Sequence, residues 1–328
     1  MRKFSVVVTE KMLPSISDKL QERCHVREWD RTDPIPRELL LKWLADAEGL
    51  FCSGDVQVDD ELLSCAPKLR VIVKSAVGYD NIDIEACTRR GIPVGYTPGV
   101  LVEATADLTF GLLLTVARRL HEGWDRVRAG KWENNTEIPF GIDLYGKKLG
   151  IVGMGQIGAA VAKRAQASGM IVLYTNRRRR RDEEKIQATY VKLDKLLEES
   201  DFVVVLTPLT KETRGMFGAE QFSKMKRTAY FINAAPGAIV DTDSLVQALK
   251  DGQIAYAALD VTDPEPLPPD HPLLTLPNVF ITPHMGSATI ETRNRMALLA
   301  VDNLLAGLEG KRLPTCVNES VNYSSETD

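Results

Sequence analysis

The segment Lys148–Gly158, with the sequence KLGIVGMGQIG, decides the fold that this chain is expected to adopt. The apolar run Leu149–Val152 predicts a buried strand, and the alanine-rich residues after Gly158 predict a helix. Between them lies the pattern Gly-x-Gly-x-x-Gly, formed by Gly153, Gly155 and Gly158. A glycine loop that joins a strand to a helix is the context in which this pattern binds a dinucleotide.

Each residue of this loop has an expected task. Gly153 permits the tight turn, Gly155 lets a pyrophosphate approach the backbone, and Gly158 allows the helix to pack closely on the strand. Gln156 and Ile157 open the helix, whose free N–H groups and positive dipole end attract phosphate. A glycine loop that serves packing alone is the alternative, and the strand–turn–helix context disfavours it.

The arginine-rich segment after the next candidate strand predicts which dinucleotide binds. An NAD-binding protein places an Asp or Glu at this point to bind the ribose 2′-hydroxyl. This chain has Asn176, Arg177 and Arg178 instead, and no acid occurs within the run of arginines. Because arginine binds a phosphate through paired hydrogen bonds, the sequence predicts NADP or NADPH. The alternative is a solvated loop of incidental charge, which is the interpretation favoured for Arg180 and Arg181.

Short β-branched runs alternate with helical patterns on both sides of the glycine loop, which predicts parallel sheets built from β-α-β units. The candidate strands before the loop occupy residues 4–10, 49–54, 71–76 and 93–97. From residue 148 onward, the candidate strands are KLGIVGM, MIVLYTN, FVVVLTP, AYFINAA, YAALDV and VFITPH. Helical patterns are found at 36–47, 59–66, 155–169, 192–200, 219–226, 242–251 and 290–308.

Residues 100–120, VLVEATADLTFGLLLTVARRL, predict a long helix that is apolar along most of its length. A helix of this composition does not face water, so we expect it to be buried between domains or in a subunit interface. The polar segment 317–328, at the other end of the chain, is expected to be flexible.

Composition predicts a globular protein of two domains. The chain has 328 residues, of which 44% are hydrophobic and 26% charged. Lys plus Arg number 41 and Asp plus Glu 45, so the net charge of −4 argues against general attraction to nucleic acid or membranes. No apolar run approaches the length of a membrane span, and the first ten residues show no signal-peptide pattern. Five dispersed cysteines without metal-ligand spacing fit reduced thiols in a cytoplasmic protein, with Cys52 and Cys65 buried; no metal site is predicted.

Six motifs, spread over nearly the whole chain, carry a specific resemblance. They are VGYDNID at 77–83, GYTPGVLVEATADL at 95–108, GMGQIG at 153–158, LTPLTKETRGM at 206–216, LDVTDPEPLPPDHPL at 259–273 and TPHMGSAT at 282–289. On these residues the chain resembles the D-isomer-specific 2-hydroxyacid dehydrogenase family. Within the family it is similar to the branch of glyoxylate/hydroxypyruvate reductases and 2-ketogluconate reductases.

The resemblance implies an α/β fold of two doubly wound parallel-sheet domains. A Rossmann coenzyme domain, residues 100–289, would be inserted into a flavodoxin-like substrate domain formed by residues 1–99 and 290–328. The resemblance also implies a homodimer formed largely through the coenzyme domain, and a small 2-keto acid as the substrate.

His284 is the candidate proton donor, because reduction of a keto group needs a proton as well as a hydride. Histidine changes its protonation near neutral pH, and His284 directly follows the candidate strand VFITP. The resemblance implies that Glu265 is its carboxylate partner, which would orient the ring and stabilise its charged form. Structural roles are favoured for the three other histidines, which are His25, His121 and His271.

The resemblance assigns further residues to the two ligands. Val77 and Gly78 would present backbone N–H groups to the substrate carboxylate, where the absence of a Cβ permits close approach. Ser287 would touch a substrate hydroxyl or carboxylate, with a helix N-cap as an equally favoured alternative. Asp260 would face the nicotinamide carboxamide. The remaining expected cofactor contacts are Thr105, Thr207 and Ala234.

Pro236 stands where the family pattern Asn-x-x-Arg-Gly has its arginine, in the segment Asn233-Ala234-Ala235-Pro236-Gly237. Proline has neither a charge nor an N–H donor, so it cannot pair with the substrate carboxylate. Losing one such donor typically costs ~3–4 kcal/mol of transition-state stabilisation. The substitution leaves the expected cofactor loop and proton donor in place and affects the substrate anchor alone.

Three explanations remain open for this proline. In the first, the protein binds its substrate through the Val77–Gly78 backbone and another cation, for which Lys74 and Arg293 are candidates. In the second, the proline is an alteration that impairs the activity. In the third, the protein is a catalytically weak dinucleotide-sensing or partner-binding protein of the same fold. His284 and Glu265 favour the enzyme, an NADPH-dependent reductase of glyoxylate, hydroxypyruvate or 2-ketogluconate, because a sensor does not need an acid–carboxylate pair.

Overall fold

The computed structural model describes residues 2–12, 14–133 and 138–321, which form two compact units. The first unit contains the described residues of Met1–Leu101 and Thr289–Asp328, and the second those of Val102–Ala288. No helix among the described residues is long and apolar enough to cross a membrane.

Twelve strands and twelve α-helices are found in the described residues. The strands are β1 (Phe4–Val8), β2 (Cys24–Glu28), β3 (Gly49–Cys52), β4 (Val71–Lys74), β5 (Val94–Gly95), β6 (Lys148–Val152), β7 (Ile171–Thr175), β8 (Thr189–Tyr190), β9 (Phe202–Val205), β10 (Tyr230–Asn233), β11 (Tyr256–Leu259) and β12 (Val279–Ile281). The helices are α1 (Pro14–Gln21), α2 (Arg37–Leu44), α3 (Asp60–Cys65), α4 (Ile84–Arg89), α5 (Val102–Ala117), α6 (Leu120–Arg128), α7 (Gln156–Ala167), α8 (Glu183–Ile186), α9 (Leu193–Glu199), α10 (Ala219–Lys224), α11 (Thr242–Lys250) and α12 (Ile290–Leu308).

The first unit is built on a parallel sheet with the strand order β2-β1-β3-β4-β5. Its central strands are buried on both faces, which explains their continuous apolar sequences. One face packs against α12, whose Val301, Leu304 and Leu308 lie in the same core as Val71 and Val73. The strand order is that of flavodoxin-like folds and places a topological switch point between β1 and β3.

The second unit is built on a seven-stranded parallel sheet with the order β12-β11-β10-β9-β6-β7-β8. The chain builds the sheet outward from β6 through β7 to β8, and then crosses back to add β9 on the other side of β6. This is the Rossmann arrangement, with its switch point between β6 and β9. The predicted fold class of two doubly wound parallel-sheet domains is therefore confirmed.

The apolar helix expected at 100–120 is shorter than expected. It ends as α5 at Ala117, and after Arg119, which has a φ of 51°, the chain continues as α6 in a new direction. Leu112, Leu113 and Val116 lie in the core that α5 shares with α7, β10 and β11. Part of its apolar surface is thus covered within its own unit, whereas Leu108, Phe110 and Leu114 stay partly exposed. Burial of the rest between domains or in a subunit interface remains a prediction.

Polar elements were missed by the sequence patterns. The edge strand β2, CHVRE, alternates buried or half-buried residues with the exposed His25 and Arg27. Cys52 is buried, but Cys65 is exposed, contrary to expectation, because Leu62 and Leu63 supply the core-facing side of α3.

The segment expected to be flexible, 317–328, is partly ordered. Val317 N donates to Val94 O, and Asn318 Oδ1 accepts from Val94 N at 2.8 Å. These bonds fix residues 317–321 to the sheet of the first unit and correct the expectation there. Residues 322–328 lie outside the described residues.

Candidate functional site

The glycine loop lies at the carboxyl edge of the seven-stranded sheet, at its switch point. Gly153 has a φ of 103°, and a Cβ there would lie 2.7 Å from Thr207 N, which follows β9. A Cβ on Gly158 would lie 2.5 Å from Gly153 O, whereas one on Gly155 would meet nothing within 4 Å. The first and third glycines are therefore required by close packing, while the second leaves open space beside the backbone at the start of α7.

Asn176, at the end of β7, holds the loop in this shape. Its Oδ1 accepts from Met154 N at 2.7 Å, and its Nδ2 donates to Met154 O at 3.3 Å. Arg177 and Arg178 follow directly and are exposed, so both guanidinium groups are accessible to a ligand beside the loop.

Arg180 contacts the glycine loop, which corrects its interpretation as incidental solvated charge. Its Nη1 donates to Met154 O at 2.9 Å, and a bidentate ion pair with Asp182, whose shorter contact is 2.7 Å, fixes the rest of the guanidinium. The pKa of the Asp182 carboxyl is lowered by its hydrogen bond from Arg180. The sequence spacing gave no signal for this contact, because it depends on how the loop after β7 folds back.

Thr207 and Ala234 follow the neighbouring strands β9 and β10 at the same edge of the sheet. Ala234 N donates to Val205 O at 3.3 Å, which continues the β9–β10 ladder beyond the strand end. The structure thus brings Thr207 and Ala234 to the same edge of the sheet as the glycine loop.

His284 and Glu265 form a direct pair. His284 Nδ1 lies 2.7 Å from Glu265 Oε1, although the residues are 19 positions apart. The side chains retain 59% and 39% of their accessible surface, so the pair can be reached by a ligand. His284 has a φ of 52°, in the left-handed region that non-glycine residues seldom adopt and that costs of order 1–3 kcal/mol. Surrounding contacts must therefore hold this backbone in place.

Asp260 supplies those contacts. Its buried carboxylate accepts from Thr282 Oγ1 at 2.6 Å, from Met285 N at 2.7 Å and from Gly286 N at 2.8 Å. His284 N also donates to Asp260 O at 2.9 Å. The side chain expected to face the nicotinamide is therefore engaged with the turn that carries His284, and the sequence did not predict this role.

Thr105 of α5 packs beside this turn, and Ser287 directly follows the turn in the sequence. A Cβ on Gly286 would lie 3.4 Å from Thr105 Cγ2, so α5 packs directly against the turn. Ser287 is buried and does not cap α12: the cap is Thr289, whose side chain accepts from Thr292 N. This excludes the alternative of an N-cap for Ser287.

The loop that carries Pro236 packs against the segment leading to Glu265. A Cβ on Gly237 would overlap Thr262 O, so glycine is needed for this approach. Pro236 is partly exposed, and its carbonyl accepts from Ile239 N in a short 3₁₀ turn. Asn233 Oδ1 accepts from Ala235 N at 3.1 Å, while its buried Nδ2 has no hydrogen-bond partner within the part of the chain that the structure describes.

In the first unit, Val77 and Gly78 lie in the loop that follows β4. Both are exposed, and neither backbone N–H donates to another group in the described ranges. Asn81 closes this loop: its Nδ2 donates to Val56 O at 2.6 Å and its Oδ1 accepts from Lys74 Nζ. The loop therefore offers two free N–H donors on a fixed backbone.

A group of charged residues at this edge was not found from the sequence as a cluster. Burial raises the pKa of the Glu10 carboxyl to about 7, and Asp55 adds to the rise, whereas Arg293 and Lys74 oppose it. These four side chains come from the segment after β1, the segment after β3, the end of β4 and the start of α12. Only tertiary structure brings such distant segments together.

The strand order and glycine loop of the second unit define a dinucleotide-binding α/β oxidoreductase fold. The model of the family described as "D-isomer specific 2-hydroxyacid dehydrogenase, NAD binding domain" matches residues 110–286. The chain belongs to this family, as the motifs predicted.

Similar proteins match nearly the whole length of the chain. A glyoxylate reductase from Korarchaeum cryptofilum is 46% identical over 319 residues, covering 96% of each chain. The crystal structure of the TT0316 protein from Thermus thermophilus matches with a TM-score of 0.91 at 48% identity, covering 95% of this chain and 99% of that one. An NADPH-dependent glyoxylate/hydroxypyruvate reductase from Sinorhizobium meliloti, in complex with NADP and malonate, matches with a TM-score of 0.86 at 33% identity, covering 98% of both chains.

Glu10→Gln should make the protein more stable at alkaline pH. The folded state keeps the Glu10 proton up to about pH 7, whereas a carboxyl with the ordinary pKa of 4.5 loses it in the unfolded state. Stability contributed by the neutral form is therefore lost as pH rises between these values, by up to about 3 kcal/mol. Urea unfolding should show Glu10→Gln more stable than the parent at pH 8 and similar at pH 4.5, with exposed Glu22→Gln as the control. A gain of equal size at both pH values would contradict this assignment.

Proposed function

We propose that this protein reduces small 2-keto acids with NADPH to D-2-hydroxy acids, with glyoxylate and hydroxypyruvate as first substrates and 2-ketogluconate as a further candidate. The observation that carries the proposal is the His284–Glu265 pair at 2.7 Å, held at the end of β12 by the Asp260 carboxylate. The names of the similar reductases support the substrates, and the NADP complex of the Sinorhizobium meliloti enzyme supports the nucleotide.

The roles of the pair follow from its geometry. Because Nδ1 of His284 is engaged by Glu265, proton donation to the substrate oxygen falls to Nε2. The carboxylate fixes the ring orientation and stabilises the charged ring before the proton is transferred. Asp260 keeps the backbone of His284 at its positive φ, and Glu265 holds the ring. Together these contacts give the imidazole one position.

The residues of the second unit fit a dinucleotide. The open space beside Gly155 and the free N–H groups at the start of α7 suit a pyrophosphate, which Gln156 and Ile157 would hold through their backbone. The chemistry that the nicotinamide supplies when bound is donation of a hydride to the keto carbon. We assign Thr105, Thr207, Ala234 and Asp260 to the same ligand.

Preference for NADPH is proposed from the residues after β7. Asn176 has an amide in place of a carboxylate, and this amide is already hydrogen-bonded to the backbone of Met154. The position therefore lacks the acid that would bind a ribose 2′-hydroxyl. Arg177 and Arg178 are exposed beside the glycine loop, where guanidinium groups can bind a 2′-phosphate. Arg180 supports the glycine loop through its hydrogen bond to Met154 O.

Replacing both Arg177 and Arg178 by Ala should lower kcat/KM for NADPH by about a hundredfold or more, since each of the two lost hydrogen bonds to a charged group contributes about 1.5–3 kcal/mol. The value for NADH should change little, because NADH has no 2′-phosphate. Steady-state rates with both nucleotides test this, with Arg181→Ala as the matched control. A parent protein that prefers NADH would contradict the assignment.

His284→Ala should abolish reduction of glyoxylate and hydroxypyruvate, while the dissociation constant for NADPH stays within about twofold because the histidine serves proton transfer alone. The assays are NADPH consumption with a panel of 2-keto acids and a fluorescence titration of the nucleotide. His25→Ala is the control, since that residue lies on the edge strand β2. A parent protein that binds NADPH but consumes none with any keto acid would instead support the dinucleotide-sensing alternative.

A homodimer through the second unit is also proposed. Large apolar side chains are exposed on α6 and in the segment after it, among them Trp124 at 61% and Phe140 at 78%. An apolar surface of this kind, rare on monomers, suits contact with a second copy of the chain. The described residues that form this surface are Leu120, Trp124, Val127, Trp132, Ile138 and Phe140.

Trp124→Glu should convert the dimer into a monomer, because a carboxylate in an apolar interface is left without a partner. Size-exclusion chromatography with light scattering would show the mass fall to about half. Leu274→Glu, a change at another exposed apolar residue elsewhere in the same unit, should leave the mass unchanged. A parent protein that is already monomeric would refute the dimer.

A further inference from the structure

Arg180 joins the loop after β7 to the glycine loop. Its Nη1 donates to Met154 O at 2.9 Å and, at the longer distance of 3.4 Å, to Gly155 O. Its Nε and Nη2 donate to the two carboxylate oxygens of Asp182 at 2.8 Å and 2.7 Å. One guanidinium group therefore holds an acid beside the glycine loop, separated from it by little more than the width of the guanidinium itself.

The loop after β7 is held in this shape by contacts of its backbone. Tyr174 of β7 is fully buried, and its hydroxyl accepts from Arg180 N at 3.1 Å. The ring of Tyr174 packs edge-on against that of Tyr190 in β8, whose hydroxyl donates to Asn176 O at 3.5 Å. Both ends of the segment 176–180 are thus fixed by tyrosines, so the position of Arg180 does not depend on its own side chain alone.

The pair of Arg180 and Asp182 carries no net charge. The hydrogen bond from Arg180 lowers the pKa of the Asp182 carboxyl, so the acid stays ionised at neutral pH and the pair stays neutral. Without the arginine, a negative charge would stand beside the loop at which the nucleotide is proposed to bind. A carboxylate at this part of a dinucleotide site suits a free ribose hydroxyl and repels a 2′-phosphate. The repulsion is felt over about 8 Å in physiological salt.

We propose that Arg180 is a positioning residue for the choice of nucleotide: it neutralises Asp182 beside the glycine loop and so permits a nucleotide with a 2′-phosphate to bind. The inference rests on the proposed preference for NADPH. In this role Arg180 acts through Asp182, whereas Arg177 and Arg178 are the residues assigned to the phosphate. Because the pair is neutral, removal of the arginine charge and removal of the carboxylate charge should have opposite effects.

The test compares two fragments of the nucleotide in calorimetric titrations of the full chain. They are 2′,5′-ADP, which carries the 2′-phosphate of NADP, and 5′-AMP, which lacks it. The ratio of the two affinities is the quantity of interest, since effects on the loop and on the 5′-phosphate are common to both ligands and cancel. Arg180→Gln should lower this ratio by about three- to tenfold, because the carboxylate is no longer neutralised.

Asp182→Asn separates the charge from support of the loop. It leaves the positive charge of Arg180 without a counter-charge, so the ratio should rise by a similar factor. The double variant, Arg180→Gln with Asp182→Asn, again has a neutral pair and should return the ratio to within about twofold of the parent. A lower ratio in Asp182→Asn, or a double variant with the ratio of Arg180→Gln, would overturn the inference.

Two controls distinguish this role from a structural one. Arg181→Gln removes the same charge from the adjacent, exposed arginine outside the pair, and its ratio should stay within about twofold of the parent. In 1 M salt, where charges are screened within about 3 Å, the effects of Arg180→Gln and Asp182→Asn should both shrink. An effect of Arg180→Gln that weakens both ligands alike and persists in high salt would assign Arg180 to support of the loop and overturn the inference.

The fragments lack the nicotinamide, so the outcome does not depend on reductase activity. A parent that prefers 2′,5′-ADP, with an unchanged ratio in Arg180→Gln, would overturn the inference and leave the NADPH preference standing. A parent with no preference for 2′,5′-ADP would contradict the NADPH preference. The role of Arg180 would still stand in that case if Arg180→Gln and Asp182→Asn shift the ratio in opposite directions.

Discussion

The buried carboxylate of Asp260 holds together the candidate site of the second unit. It accepts three hydrogen bonds from the turn after β12, and its own backbone joins β11 to β10 through the bond from Asp260 N to Asn233 O. The turn is thereby fixed with His284 at a positive φ, a conformation that the residue would not adopt by itself. A proton donor must be held in one orientation to transfer its proton efficiently, and the carboxylate of Asp260 provides that constraint.

The same principle operates at the glycine loop and at the edge of the first sheet. In each case an amide side chain binds backbone atoms and fixes a loop: Asn176, after β7, binds Met154, and Asn81, in the loop after β4, binds Val56. Within each sheet, parallel strands bring the loops that follow them to the carboxyl edge, where side chains can bind backbone groups that the sheet leaves unpaired. The loops that carry the candidate ligand contacts are therefore held by amide and carboxylate side chains as well as by close packing at their glycines.

Pro236 leaves the loop after β10 without a positive charge, and a separate group of buried charges lies in the first unit. A 2-keto acid brings a carboxylate that must be neutralised, and the loop after β10 supplies no cation. The first unit holds the buried ammonium of Lys74, which has a neutral partner, and an adjacent acid, Glu10, whose proton is retained to about pH 7. Keeping a carboxyl and an ammonium out of water at one edge costs stability, and such a cost is typical of functional sites.

The amino-acid sequence by itself determined the fold class, the glycine loop and the candidate proton donor, because each depends on local patterns: apolar periodicity, glycines where a Cβ would clash, and a histidine at a strand end. It did not determine the contacts of Arg180, the anchoring role of Asp260, or the cluster of Glu10, Asp55, Lys74 and Arg293. Those depend on segments up to 283 residues apart in the chain, which is the separation of Glu10 from Arg293. Only the tertiary structure brings such segments to one edge of a sheet, since burial and charge at a point depend on everything packed around it.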